Sequence, residues 1–289
     1  MQTRRWLTRL IALFSVVIGG LGSAGCETNP YTGRSQLLMT SVAEEMQLGT
    51  QAYSQVKTDP KVHLSQDPRE IEPVKRVAAR IIDAAKRSKY ADMAKQFQWE
   101  VTVIKDDKTM NAFALPGGKI AVYTGIFPVA KTEAGLAAVL GHEVTHALAR
   151  HGAERMSEGQ LTNAALQVAG AVIGVSGGSP LLSQTAMAAL GAGAQVGVLL
   201  PFSRAHESEA DYVGVLLAAD AGYNPQESVH LWERMEQLSG GGGPAEFLST
   251  HPGHETRIHQ LEKWMPEAMA IYQNKPAVPA ALLPVGGGR

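Results

Sequence analysis

The sequence predicts an α+β protein: a mostly helical core with a small sheet or hairpin ahead of one central apolar helix. Three observations carry this. Strand-type alternation is concentrated in residues 99–124, whereas helical spacing of apolar residues recurs before and after it. Ala and Gly are abundant and aromatic residues make up only 6%, which favours close-packed helices over a β-sandwich. And Gly141-His142-Glu143-Val144-Thr145-His146 sits inside an apolar run over about 131–150.

With 289 residues, 45% hydrophobic and 18% charged, the chain can form one or two domains with a sizeable core. A net charge of -1, and no basic run after the first ten residues, argue against a nucleic-acid partner. At the amino terminus Arg4, Arg5 and Arg9 precede an apolar run over 10–18 that is too short to span a bilayer. Leu21-Gly22-Ser23-Ala24-Gly25-Cys26 follows. Small residues before a lone cysteine resemble a bacterial lipoprotein signal over 1–25, with Cys26 carrying the lipid that holds the chain to a membrane. Ser23 stands where such signals usually carry Leu, so ordinary cleavage and a soluble periplasmic protein is the alternative. Glu27 rather than Asp after the cysteine resembles lipoproteins without an inner-membrane retention signal. That implies the periplasmic side of the bacterial outer membrane. Cys26 is the only cysteine, so no internal disulfide forms.

Residues 26–40 read as a tether with turn chemistry at Asn29-Pro30 and Thr32-Gly33. Ser41 caps a first helix, with Glu44 as its capping-box partner and Met46, Ala52 and Val56 on the apolar side; Asp59-Pro60 ends it. A second helix over 67–88 follows from Ile71, Val74, Val77, Ala78, Ile81 and Ile82, with Pro68 in the first turn and Pro73 as a delay or kink. Residues 99–104 alternate as a strand. Asn111, Ala112, Phe113, Ala114 and Leu115 form another; Pro116-Gly117-Gly118 turns the chain and 119–124 returns as a hairpin. Residues 126–130 lead into the motif helix. Beyond it, two Ala/Gly-rich stretches over 161–175 and 181–200 are interrupted by Asn163, Gln167, Gln184 and Gln195, so neither reads as a transmembrane span. They read as a helical hairpin packed on the motif helices, with membrane contact as the alternative. Helices over 203–221 and 225–238, a glycine linker over 239–244 and a mostly helical 245–272 complete one domain over 41–274. The Pro-, Ala- and Gly-rich 275–289 read as a disordered tail.

Histidines four apart share a helical face, so His142 and His146 can reach one ion. Imidazoles without thiolates favour Zn²⁺, one per chain. Glu143 follows the first ligand and is placed as the base for a water. The alternative is two hydrogen-bonded histidines on a helix. Catalytic zinc usually takes a third protein ligand, and the candidates are His151, His206, Glu207, Glu209 and Asp211. His151, five residues beyond His146, turns off the ligand face and suits a polar cap. Glu207 and Asp211 share a face while Glu209 points away. Glu207 is then the ligand, and Asp211 accepts the free N–H of a ligand histidine. By spacing alone, a solvated acidic face accounts for the run equally well.

The H-E-x-x-H helix followed by Glu207-x-x-Ala210-Asp211 resembles the zinc metalloprotease family that includes HtpX, the CAAX prenyl proteases, BepA and LoiP. The stretch 111–118 resembles that family's hairpin, and Ser249-Thr250-His251-Pro252 with Arg257-Ile258 its later loop. Asn29-Pro30-Tyr31-Thr32-Gly33-Arg34 after Cys26 is similar to its LoiP-like periplasmic lipoprotein members; the glycine run over 240–243 departs from the pattern. The resemblance implies a gluzincin-type zincin core, zinc on His142, His146 and Glu207, Asp211 behind them, and peptide hydrolysis. His251 lies on a loop after the glycine linker. It is a candidate gate over the open metal position, an oxyanion donor, or a cap for the helix that begins near Glu255. Loops of this kind approach the metal in some family members, which favours the gate.

The expected activity is that of a zinc-dependent endopeptidase of the bacterial cell envelope, acting in quality control. Its partners are extended polypeptides, unfolded or misassembled, that add a strand to the hairpin edge at Asn111, Ala112, Phe113 and Ala114. The rival is a non-catalytic chaperone or assembly factor for outer-membrane proteins with a structural zinc. Glu143, which a structural site does not need, counts against it. An enzyme embedded in the membrane and acting on lipid or prenyl substrates lacks full spans.

Overall fold

The computed structural model describes residues 25–172, 203–239, 251 and 254–284. Residues 1–24 of the expected targeting segment over 1–25, residues 173–202 of the apolar stretches and the glycine linker beyond 239 lie outside the described residues. The architecture is the α+β one expected, mostly helical with small sheets.

The chain opens with a hairpin: β1 (Gly25–Thr28) runs antiparallel to β2 (Ser35–Leu38), with Cys26 opposite Leu37. Asn29 builds the turn, its Oδ1 accepting from the N–H groups of Tyr31 and Thr32, and Gly33 takes a left-handed φ of 72°. The expected tether over 26–40 is thereby corrected. The turn chemistry there closes a hairpin, and Arg34 and Gln36 find buried partners on the core. α1 (Val42–Thr58) starts with the capping box read from the sequence: Glu44 N–H donates to Ser41 Oγ, and Ser41 N–H donates to Glu44 Oε2 at 2.8 Å. α2 (Pro68–Ala85) is capped by Asp67 and runs through Pro73 unbroken. A short α3 (Ala91–Gln96), absent from the sequence reading, follows.

β3 (Glu100–Ile104), β4 (Ala112–Leu115) and β5 (Lys119–Tyr123) form one sheet in the order β3-β5-β4, with β3 parallel and β4 antiparallel to β5. The β4–β5 turn uses Gly117 and Gly118, both at φ 82°, where a side chain would be strained. Alternation along β5 divides the interior. Ile120 and Val122 face the large core, while Ala121 packs with Ala52, Tyr53 and Val56 of α1. The sheet is therefore covered on both faces, and β3 and β4 are its two outer strands.

A 3-10 turn (Thr124–Ile126) and α4 (Phe127–Ala130) deliver the chain to the motif helix α5 (Glu133–Leu148). Every residue of α5 is buried, as suits a helix apolar all round at the centre of a core. α6 (His151–Val172), α7 (Arg204–Asp220), α8 (Gln226–Ser239) and α9 (His254–Gln273) complete the fold. α5 and α7 cross at Gly141 and Gly214. A Cβ added at Gly141 would fall 2.6 Å from the Gly214 carbonyl oxygen, and one at Gly214 2.8 Å from the His142 nitrogen. Only glycine allows this approach, and the approach brings the acids of α7 to the histidines of α5.

Between α5 and α6 the chain turns through Arg150 in a left-handed conformation, φ 57°. That costs a non-glycine residue about 1 kcal/mol. The Arg150 side chain offsets it with a buried pair to Glu45 at 2.5 Å, an ion pair to the exposed Glu27 at 2.6 Å and a hydrogen bond to the Thr40 carbonyl at 2.7 Å. At the other end the expected disordered tail is corrected too. Residues 275–284 run back as a strap: Val278 N–H donates to Gly222 O, Glu133 N–H to Ala281 O and Leu283 N–H to Lys131 O, and Leu283 is buried. The strap meets a backbone N–H at the start of α5 that has no partner within the helix. Its prolines stiffen the chain beforehand, so a composition that reads as disorder orders at modest entropic cost. Among the described residues no helix is long and apolar enough to cross a membrane.

Candidate metal centre

α5 presents His142 and His146 one turn apart, both buried, with their Nε2 atoms 3.0 Å from each other. Ser203 caps α7, its Oγ accepting from His206 N–H, and this start places Glu207 in the first turn. Across the glycine crossing Glu207 sets one oxygen 3.5 Å from His142 Nε2 and the other 3.5 Å from His146 Nε2. His251 completes the cluster, its Nδ1 3.2 Å from His142 Nε2 and 3.0 Å from Glu207 Oε1. Among the described residues these four are the one group whose potential ligand atoms all lie within 4.8 Å of one another.

The outer atoms of the cluster are tied down. His142 Nδ1 lies 2.9 Å from Asp211 Oδ1. With the proton on Nδ1 donated to the carboxylate, Nε2 turns a lone pair inward. Arg257 holds Asp211 with two contacts of 2.6 Å, reaches Glu207 Oε2 with a third at 2.6 Å, and stacks 3.6 Å from the centroid of the Trp232 ring. Burial works to raise the Asp211 carboxyl. The Arg257 charge and the His142 hydrogen bond outweigh it and hold the group at about 2. Burial and the neighbouring imidazoles push His146 well below the usual histidine range, so it sits neutral. Glu207 is lowered despite its burial by His251 and Arg257.

The arrangement fits a divalent metal. Inward-facing imidazole lone pairs at 3.0 Å repel unless a cation or a proton lies among them, and Glu207 adds the negative charge that favours the cation. Glu143, next to His142 on α5, points to the same place. Its Oε1 is buried, accepts no hydrogen bond, and lies 3.4 Å from His251 Nε2. Burial raises the Glu143 carboxyl above its ordinary range against the pull of His251 and His142. A carboxylate so placed lacks one proton donor, which a water beside the metal would supply.

The sequence candidates sort as follows. His142, His146, Glu207 and Asp211 converge, with Asp211 behind His142. His251 joins the ligand group itself. His206 takes no part in it and instead pairs with Glu154 at 3.0 Å. His151 is no polar cap but fully buried behind the cluster, its Nδ1 2.9 Å from His146 Nδ1. Helical phase from His146 fails to place it because the helix breaks at Arg150. Glu209 does point away from the cluster, yet its Oε2 lies 3.0 Å from His151 Nε2. Arg257, named from sequence only as part of the family-like later loop, sits at the centre of the network; no spacing rule links it to α7. At the β4 edge Asn111, just ahead of the strand, and Ala112 are buried, and Phe113 and Ala114 are half-buried.

The chain is similar to known proteases. The model of peptidase family M48 matches residues 68–265, more than half of the chain. The mitochondrial metalloendopeptidase OMA1 of Schizosaccharomyces pombe is 37% identical over 89% of this chain and 72% of its own length. OMA1 of Homo sapiens is 31% identical over 85% of this chain and 47% of its own. The β-barrel assembly-enhancing protease of Escherichia coli K12 is 29% identical over 80% and 46%. The chain thus spans about half the length of the human and E. coli proteins. The two OMA1 proteins match over more of the chain, and at higher identity, than the bacterial protein, and their names place them in mitochondria. That overturns the expected placement on the periplasmic side of a bacterial outer membrane, and the soluble periplasmic alternative with it. The misleading signal was the basic, apolar and small-residue order before Cys26, which rests on composition alone.

Proposed function

The chain belongs to peptidase family M48 and is a metalloendopeptidase, and we propose that it uses Zn²⁺ on His142, His146 and Glu207 to cut unfolded or misassembled polypeptides. The convergence of those three side chains beside Glu143 carries the reading. Imidazole and carboxylate donors without a thiolate suit zinc. When bound, the ion supplies positive charge that polarises the scissile carbonyl and acidifies water at neutral pH.

The protein does the rest. Glu143 takes a proton from the attacking water as the new C–O bond forms. It hands that proton to the amine nitrogen as the C–N bond breaks. Its raised pKa is the direction a base working near neutrality needs. Asp211 and Arg257 fix His142. The substrate enters as an extended strand along the β4 edge at Asn111–Ala114; β4 is an outer strand of the sheet and packs beside α5. Pairing of that kind selects chains whose backbone is free, and hence unfolded ones. The purified full chain is expected to digest casein and to spare a tightly folded protein. It should stop on chelation and recover with one equivalent of zinc. Digestion indifferent to chelation, or no digestion after zinc loading, overturns the reading.

His251 is read as a gate. Its ring stands in the ligand group and faces Glu143, the space that substrate and water need. His251→Ala is expected to keep zinc and raise specific activity. Lower activity would make His251 an oxyanion donor, and unchanged activity with a lower Tm would make it a cap; either result removes the gate.

A further inference from the structure

Behind His146 lies a second buried polar layer that hydrolysis does not use directly. Its order is His146 Nδ1 to His151 Nδ1 at 2.9 Å, then His151 Nε2 to Glu209 Oε2 at 3.0 Å. A carboxylate can only accept, so the proton facing it belongs to His151 Nε2. That leaves His151 Nδ1 as an acceptor, and His146 must donate to it from Nδ1. The lone pair of His146 then falls on Nε2, the atom that faces His142 and Glu207. Polarity set at Glu209 is thus passed through one imidazole to another, as Asp211 sets it directly for His142.

Glu209 is itself held from the amino-terminal hairpin. Arg34 contacts it from Nε at 3.0 Å and Nη2 at 2.9 Å, and Thr32 Oγ1 donates to its Oε1. The same guanidinium grips Glu154 at 2.5 and 2.7 Å, and Gln36 donates to the Ala149 carbonyl at 2.8 Å. Glu27 of β1 reaches Arg150. The contacts to Ala149, Arg150 and Glu154 fall on the elbow between α5 and α6, whose left-handed turn is what swings His151 behind His146, and those to Glu209 fall on α7.

We propose that His151 and Glu209 are positioning residues that fix the tautomer of His146 for metal binding, and that the hairpin over 25–38 is the clamp that holds them. The inference rests on the metal reading above, and the tests keep the two apart. In the wild-type protein, nitrogen-15 NMR of the histidines is expected to find protons on His146 Nδ1 and His151 Nε2. The reverse tautomers overturn the relay, whether or not the chain takes up zinc; a chain that takes up none overturns the metal reading alone. Glu209→Gln keeps the size but lets the amide donate as well as accept, so both polarities become available. It is expected to weaken zinc binding about tenfold to a hundredfold in chelator competition. Glu154→Gln loosens the hairpin's grip without touching His151 Nε2, and is expected to weaken zinc binding by less than Glu209→Gln does; wild-type affinity in Glu154→Gln would remove the clamp. Equal losses in the two variants would reduce the layer to packing, and wild-type affinity in Glu209→Gln would remove the relay.

Discussion

Glu143→Gln is expected to hold zinc as tightly as the wild type and to hydrolyse peptides roughly 10²–10⁴-fold more slowly, or worse. Glutamine matches glutamate in size, so the close packing of α5 is undisturbed. What it lacks is basicity. The amide oxygen can accept a hydrogen bond from water but cannot take the proton, and no other carboxylate of the cluster is free to do so. Glu207 and Asp211 are both engaged by Arg257, and Asp211 also by His142. Folding is not expected to suffer. Glu143 is buried with an oxygen that accepts no hydrogen bond, and a neutral amide is easier to bury than a carboxylate. Metal content and kcat measured on the same preparation decide the matter. Turnover within tenfold of wild type would move the general base elsewhere.

What was legible in the sequence were features written on unbroken helices. His142 and His146, and likewise Glu207 and Asp211, are each four residues apart on one helix, so spacing alone put each pair on one face. The capping box at Ser41 and Glu44 was readable for the same local reason. What was hidden depends on breaks and on distant contacts. His151 reaches His146 only because Arg150 leaves the helical region, and Arg150 can do so because Glu45, some hundred positions away, is there to hold it. The hairpin over 25–38 and the strap over 275–284 looked like loose ends because their composition is that of linkers; the buried groups that receive them lie elsewhere in the chain. Gly141 and Gly214 gave no signal of their own, since a helical glycine reads as a weakness until the opposing helix is seen. Location was the poorest reading, because it rested on the order of residue types around Cys26 and on nothing that the fold or the metal site requires.

Glu207→Ala is expected to lower zinc affinity by at least about a hundredfold while the metal-free protein stays folded. Three effects add. The cluster loses its one carboxylate ligand, leaving only imidazoles. Arg257, which sits 2.6 Å from Glu207 Oε2, becomes a less compensated positive charge close to the incoming ion. And His251 Nδ1 loses the oxygen at 3.0 Å that holds its ring in place. The fold persists because Arg257 keeps both contacts to Asp211 and its stack on Trp232, so no buried charge is left alone. Glu207→Gln, which keeps the shape and removes the charge, is expected to fall between the alanine variant and the wild type. Metal retained after dialysis against a chelator, with circular dichroism as the check on folding, measures this directly. The informative failure is retention of zinc by Glu207→Ala. His251 already lies within ligand distance of the other two histidines, so such a result would make it the third ligand. His251→Ala would then be the variant that empties the site, and the gate assigned to that residue would fall with the ligand assigned to Glu207.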